Sequence, residues 1–170
     1  VSNARGTTEA TVKLAQQAID AFDGLWDSKY YRMMFNKLGI AHEKSGDRLL
    51  LDELLVWMQS IHADYTNTFS ALSSAIDSDQ KSLSMPIPEP WLKKWKKRVT
   101  KQRGGLQTAL SIMKNTNPVF IPRNHLVEEA LEKAVNADVS LFNLLLDILK
   151  TPYTYQRHYH SYLSPPDPVF

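Results

Sequence analysis

The residue types best suited to chemistry cluster in residues 117–125, Asn-Pro-Val-Phe-Ile-Pro-Arg-Asn-His. Two prolines there fix an extended connector, and three polar side chains follow at the start of a predicted helix. We interpret the segment as structural: Asn124 caps the helix, and Arg123 ties the connector to a neighbouring helix through carbonyls or a carboxylate. The residues of this predicted structural motif are Asn117, Pro118, Pro122, Arg123, Asn124 and His125.

A second candidate is a basic run that lies between residues 93 and 103 and is interleaved with tryptophan. Residues 1–85 carry 8 Lys/Arg and 11 Asp/Glu, a net −3, whereas residues 86–170 carry 12 and 7, a net +5. Cations beside indoles can bind nucleic acid or an acidic partner. The four-residue spacing of Trp91 and Trp95, with Val99 following, favours instead a buried stripe opposite a solvated face. The predicted basic surface is Lys93, Lys94, Lys96, Lys97, Arg98, Lys101 and Arg103.

Other chemistry is limited by what the chain lacks. With Cys 0, disulfides, thiol catalysis and cysteine-ligated metals are excluded. The only clustered glycines, Gly104 and Gly105, do not form a phosphate loop. His158 and His160 alone do not make a metal site. The residues therefore assign no catalytic, cofactor-binding or metal-binding side chain, and no apolar run is long enough to span a bilayer.

The elements that position these residues are predicted to be helices. Apolar residues recur at three- and four-residue steps, and no period-two strand is found, so we predict an all-α fold. We expect an irregular helical domain of about six to eight helices, with a Pro-rich extended tail over residues 153–170. Residues 73–90 are expected to form a surface connection, and residues 1–170 a single domain.

Several helix boundaries and faces follow from local signals. Residues 7–38 read as helix, with a possible interruption at Gly24. Asp47, Asp64 and Asp138 are expected to cap helices, and Pro90 suits a first helical turn. The last helix is expected to turn Phe142, Leu145, Leu146 and Leu149 towards the core.

Residues 113–131 resemble a known family. They match the stretch M-x-x-x-N-P-x-x-I-P-R-N-H-x-V-E-E-A of the selenoprotein O (SelO, YdiU) family. Three other places agree in order: residues 37–40, residues 58–72 with Ala-Asp-Tyr-Thr-Asn-Thr-Phe, and residues 144–166. The resemblance implies a protein-kinase-like fold, a pseudokinase with inverted nucleotide binding, and transfer of AMP from ATP to protein hydroxyls with magnesium or manganese.

The resemblance also sets expectations for this chain. The matching segments belong to the carboxy-terminal third of the family, and the family's phosphate-binding lysine, its paired glutamate and its metal-binding residues have no counterpart here. We therefore expect a carboxy-terminal fragment that is catalytically silent, with ATP and Mg/Mn needed only by the full-length parent. The expected partners are the upstream kinase-like core and the parent's protein substrates, with no membrane and no nucleic acid.

The cellular location and an alternative function of the protein can also be predicted. The resemblance implies a cytoplasmic protein if the source is bacterial and a mitochondrial one if it is eukaryotic. The alternative function is a free-standing helical binding module for nucleic acid or an acidic protein partner.

Overall fold

The computed structural model describes residues 3–77 and 85–166, with side chains from Thr8 onward. These residues form seven α-helices and one 3-10 helix and contain no strand. The all-α prediction is therefore confirmed, and the number of helices in the described ranges agrees with the expected six to eight. None of the described helices has a stretch long and apolar enough to cross a membrane.

The chain divides into two compact units, Val1–Met34 and Phe35–Phe170. The first unit consists of most of helix α1 (Asn3–Lys37), which continues without a break past Gly24. Several apolar residues of this unit are more than half exposed, among them Val12 63%, Ile19 65%, Phe22 60% and Trp26 52%.

The second unit contains all the other elements. In chain order they are α2 (Asp47–Ser60), α3 (Tyr65–Ser74), α4 (Glu89–Thr100), α5 (Gly105–Thr116), α6 (Asn124–Val135), α7 (Ser140–Leu149) and a 3-10 helix (Arg157–Leu163). α4 packs against α2 and α5, α3 packs against α5, and α6 packs against α7. Fully buried side chains at the centre include Leu51, Leu54, Phe69, Leu72, Trp95 and Met113.

Helix α4 forms as its sequence predicts. A proline lies in its first turn, where the missing N–H has no helical partner to lose. Trp91, Trp95 and Val99 are buried along one face. Each buried indole also satisfies its N–H: Trp91 donates to the Leu50 carbonyl and Trp95 to the Leu38 carbonyl, both at 2.8 Å.

Three local predictions are wrong. Asp138 does not cap α7, because Val139 occupies the N-cap position without a capping side chain and the Asp138 carboxylate accepts the Ser140 N–H instead. Asp47 does not cap α2, because Gly46 occupies the N-cap position with φ 90° and the Asp47 carboxylate accepts the Lys44 N–H instead. In α7 the buried residues are Leu141 and Ile148, whereas Phe142 and Leu146 are 42% and 48% exposed. The helix Ser-Leu-Phe-Asn-Leu-Leu-Leu-Asp-Ile-Leu is apolar on several sides, so its pattern alone did not fix the buried face.

The predicted connection and tail are more ordered at their edges than expected. Helix α3 continues through Ser74, and Ser74 and Asp77 are both buried, so the connection does not begin at residue 73. Residues 78–84 lie outside the described residues. Within the predicted tail, residues 157–163 form the 3-10 helix with Leu163 buried, while residues 167–170 lie outside the described residues.

Candidate functional site

The connector between α5 and α6, residues 117–123, runs beside the end of α7. The backbone N–H groups of Val119 and Phe120 both donate to the Pro152 carbonyl, at 2.7 and 3.0 Å. Val119 and Phe120 are buried together with Ile148 and Leu163. The edge of this cluster is formed by half-buried side chains: Leu144, Leu145, Tyr155, Tyr159 and Tyr162. The connector is therefore fixed by both its backbone and its apolar side chains.

Arg123, at the end of this connector, makes a buried bidentate ion pair. Its Nη1 lies 2.5 Å from Asp64 Oδ2, and its Nη2 lies 3.1 Å from Asp64 Oδ1. Nη2 also donates to Asn67 Oδ1 at 3.1 Å and to the Leu163 carbonyl at 3.0 Å. The Arg123 side chain is only 7% exposed. A planar guanidinium suits this arrangement because its fork matches both carboxylate oxygens.

The partners of Arg123 also bind one another. Asp64 is the N-cap of α3, and its Oδ1 accepts the Asn67 N–H at 2.7 Å. Asn67 in turn donates from Nδ2 to the Leu163 carbonyl at 3.0 Å. We call these four groups, Arg123, Asp64, Asn67 and the Leu163 carbonyl, the Arg123 junction. It joins the connector, the first turn of α3 and the end of the 3-10 helix.

The charge state of Asp64 follows from this junction. Burial raises the pKa of this carboxyl, but hydrogen bonds from the Arg123 guanidinium and from the Asn67 N–H outweigh burial and hold the pKa below its ordinary value. Asp64 is therefore ionised at neutral pH and accepts hydrogen bonds only. The junction is suited to holding helices together, since both carboxylate oxygens already have donors.

Asn117, at the start of the connector, links two further elements. Its Nδ2 donates to the Lys37 carbonyl at 2.8 Å and lies 3.4 Å from the Phe69 carbonyl. The Lys37 ammonium lies 5.3 Å from the ring centroids of both Tyr65 and Phe69. Burial lowers the pKa of Lys37. Asn117 thus connects the end of α1, within the second unit, to α3 and the connector.

The remaining motif residues lie outside the junction. Pro118 is half-buried, Pro122 and Asn124 are exposed, and His125 is half-buried. The prediction that Asn124 caps α6 is wrong: Arg123 occupies the N-cap position, and no side chain there makes a capping hydrogen bond. The structure places Arg123 on a carboxylate of a neighbouring helix, one of the partners that the sequence interpretation named. The sequence predicts Asp64 as a helix cap, and only the structure pairs it with Arg123.

The seven predicted basic-surface residues do not share one environment. Lys93 pairs with Glu89 at 2.8 Å and Lys94 with Glu53 at 2.9 Å. Arg98, whose side chain is 15% exposed, binds both oxygens of the 3% exposed Asp47 at 2.7 Å. Arg98 is therefore a half-buried structural residue that pairs with a buried carboxylate. The other four, Lys96, Lys97, Lys101 and Arg103, form no ion pair with the residues that the structure describes.

Sequence reasoning also missed a second bridging side chain, Gln102. Its Nε2 donates to the Gly39 carbonyl at 2.7 Å, and its Oε1 accepts the Ala41 N–H at 3.1 Å. No local pattern marks this residue, because the backbone groups it binds lie more than sixty positions earlier.

As for metal ligands, residues 3–77 and 85–166 contain no group of three or more His, Asp or Glu side chains placed to hold an ion.

These observations define an all-α helical protein whose distinctive motif forms a buried arginine junction. A family model described as "Protein adenylyltransferase SelO" matches residues 9–150, and the chain belongs to this family. Membership assigns nucleotidyl transfer at the level of the family.

Relatives in three Bacillus strains agree with this assignment, and each is named "Protein nucleotidyltransferase YdiU". The chain is 38% identical over 162 residues to that of Bacillus cereus (strain AH820), covering 95% of this chain and 33% of that protein. It is 39% identical over 164 residues to that of Bacillus cereus (strain ATCC 14579), and the match covers 95% of this chain and 33% of that protein. The chain is 38% identical over 161 residues to the protein of Bacillus mycoides (strain KBAB4), and the match covers 94% of this chain and 33% of that protein. The chain spans about a third of the length of these curated relatives.

Proposed function

We propose that this chain is a structural, non-catalytic part of a SelO-type protein adenylyltransferase, a pseudokinase that transfers AMP from ATP to protein hydroxyls. In this proposal ATP and Mg²⁺ or Mn²⁺ are bound by other residues of a longer protein. The observation that carries the proposal is the Arg123 junction. The family's most recognisable motif in this chain is used to hold α3, the connector and the 3-10 helix together.

Phosphoryl chemistry requires groups that reach a nucleotide. Such sites use lysine, arginine or backbone N–H groups that face the phosphates, together with carboxylate or amide ligands for the metal. Arg123 is only 7% exposed, and both of its terminal nitrogens already donate to Asp64, Asn67 or Leu163. Asp64 has a donor on each oxygen. The junction therefore supports a positioning role and leaves neither residue available to a nucleotide.

The exposed apolar face of α1 supports a partner within a longer protein. Six large apolar side chains of the first unit are at least half exposed: Val12, Leu14, Ile19, Phe22, Leu25 and Trp26. Large exposed apolar side chains in such number are typical of an interaction site. The partner that we propose for it is the kinase-like core of the adenylyltransferase, since the curated relatives are about three times as long as this chain.

The test is a transfer assay with the purified chain. The chain is incubated with ATP labelled on the α-phosphate, with Mg²⁺ or Mn²⁺, and with a mixture of proteins as acceptors. We expect no labelled AMP on any protein, while the relative from Bacillus cereus (strain AH820), assayed in parallel, serves as the reference enzyme. Metal-dependent labelling by this chain alone would overturn the proposal.

A further inference from the structure

The stretch from residue 90 to residue 127 has an unusual charge composition. It contains nine Lys/Arg and no Asp/Glu. Any acidic partner of these cations must therefore come from another part of the chain or from another molecule. The nine are Lys93, Lys94, Lys96, Lys97, Arg98, Lys101, Arg103, Lys114 and Arg123.

Five of the nine cations take an acidic partner from elsewhere in the chain. In two of these pairs, Arg98 with Asp47 and Arg123 with Asp64, the arginine side chain is only 15% and 7% exposed. The other three are Lys93 with Glu89, Lys94 with Glu53, and Lys114 with Asp77. Four of these five pairs join different parts of the fold, whereas Lys93 and Glu89 both lie in α4.

The other four cations, Lys96, Lys97, Lys101 and Arg103, lie within eight consecutive residues and have no ion-pair partner in the described parts of the chain. We call them the cationic edge. Lys97, Lys101 and Arg103 are exposed, and Lys96 is half-buried. The three exposed residues present their charge to solvent from the second half of α4 and the turn that follows it.

The geometry of this edge suits an extended anionic chain. Lys101 follows Thr100 in right-handed helical conformation, with φ −82° and ψ −2°, so the helical path continues past the end of α4. Lys97 and Lys101 are four residues apart, which places them about 6 Å apart along the axis. Alternate side chains of an extended peptide on one side are separated by about 6.6 Å. Carboxylates at alternate positions therefore match this spacing.

The aromatic residues favour a protein over a single-stranded nucleic acid. Binding of unpaired bases depends on exposed aromatic rings for stacking. Trp91 and Trp95 are 6% and 0% exposed, and both indole N–H groups are bonded to backbone carbonyls. The edge therefore offers charge without a stacking surface.

We propose that the cationic edge docks an extended acidic segment of a partner protein, with carboxylates at alternate positions. The interaction needs neither ATP nor metal, and it goes beyond the structural role proposed for this chain. The transfer assay and the binding assay below can each fail without the other.

The experiment measures fluorescence anisotropy of a labelled twelve-residue peptide of alternating Glu and Ser, with alternating Gln and Ser as the neutral control. We expect binding of the Glu peptide only, weakening steeply between 50 and 300 mM salt. The triple variant Lys97→Gln/Lys101→Gln/Arg103→Gln should bind about tenfold more weakly. The matched control, Lys133→Gln/Lys150→Gln/Arg157→Gln, removes the same charge elsewhere and should change the affinity by less than about twofold.

Thermal melts establish that both triple variants remain folded before binding is compared. Three results would overturn the proposal: no binding of the Glu peptide, equal weakening by the two triple variants, or tighter binding of a single-stranded oligonucleotide than of the peptide. Equal weakening would mean that net charge alone attracts the peptide.

Discussion

The two terminal nitrogens of Arg123 each donate to one carboxylate oxygen of Asp64, at 2.5 and 3.1 Å, between residues 59 positions apart in the chain. Because Asp64 also caps α3, one ion pair fixes both the connector and the start of a helix. The Leu163 carbonyl receives hydrogen bonds from Arg123 and from Asn67, so the 3-10 helix is held by the same contacts.

Removing the guanidinium should strongly destabilise the chain. Arg123→Met leaves the Asp64 carboxylate and the Leu163 carbonyl partly unpaired, and breaking a buried pair on one side costs about 3–5 kcal/mol. Urea denaturation measures the free energy of unfolding. The control is Lys133→Met, which breaks the exposed pair with Glu129 and should cost less than about 0.5 kcal/mol. Similar losses in the two variants would contradict a structural role for the junction.

The junction also predicts a pH dependence of stability. The pKa of Asp64 is lowered in the folded state because the hydrogen bonds from Arg123 and Asn67 outweigh the opposing effect of burial. Its stabilisation is therefore fully present above the unfolded pKa, roughly 3.9, and is lost as the pH falls through the folded pKa. The difference in urea midpoint between the wild type and Asp64→Asn should be constant above about pH 5 and narrow below about pH 4. A difference that stays constant down to pH 2.5 would contradict this assignment.

Gly39 and Gly46 separate the energetic cost of close packing from the cost of a left-handed backbone, because both have positive φ but only Gly39 has close neighbours. Gly39 has φ +70°, and a Cβ there would lie 2.9 Å from Ala109 Cβ, Ala109 O and Met113 Sδ. Gly46 has φ +90°, but a Cβ there would meet nothing within 4 Å. Gly46→Ala should therefore cost about 1 kcal/mol from its left-handed backbone alone. Gly39→Ala should cost about 1–3 kcal/mol more, because overpacking is added. Equal shifts in melting temperature would show that the Gly39 contact relaxes freely.

Arg98 and Lys97 are neighbours in the basic run, but loss of charge should destabilise the protein strongly at Arg98 and hardly at all at Lys97. Arg98→Gln leaves the buried Asp47 carboxylate without its bidentate partner and should lower the free energy of unfolding by about 3 kcal/mol. Lys97→Gln should change it by less than about 0.5 kcal/mol, since Lys97 is exposed. Thermal denaturation of the two variants gives the comparison. A stable Arg98→Gln protein would place Arg98 with the cationic edge.

The apolar face of α1 should bind a hydrophobic dye. Phe22→Ser/Trp26→Ser removes two side chains that are 60% and 52% exposed, and should lower the fluorescence of bound anilinonaphthalene sulfonate by about half. Leu131→Ser, which removes one exposed apolar side chain from α6 in the second unit, should have little effect. Dye fluorescence that is unchanged in the double variant would show that the dye binds elsewhere.

Much of the fold could be predicted because helix signals are local. The buried stripe of α4, its proline in the first turn and the break at Gly104 all follow from neighbouring residues. The Asp64 cap was found for the same reason. The buried face of α7 could not be predicted, because apolar residues surround much of that helix and only its packing selects Leu141 and Ile148. Periodicity identifies a helix but not its orientation when the apolar arc is wide.

For the candidate site, too, local features could be predicted from the sequence and contacts between distant residues could not. The sequence by itself determined the all-α class, the extended connector with Arg123 at its end, and the family resemblance. Only the tertiary structure decided that Arg123 binds Asp64 and Asn67, that Arg98 is buried on Asp47, and that four cations are left to form the cationic edge. Helical periodicity depends on residues three or four apart, whereas these ion pairs join residues 51 and 59 positions apart. No local pattern specifies which distant carboxylate the folded chain brings to each arginine.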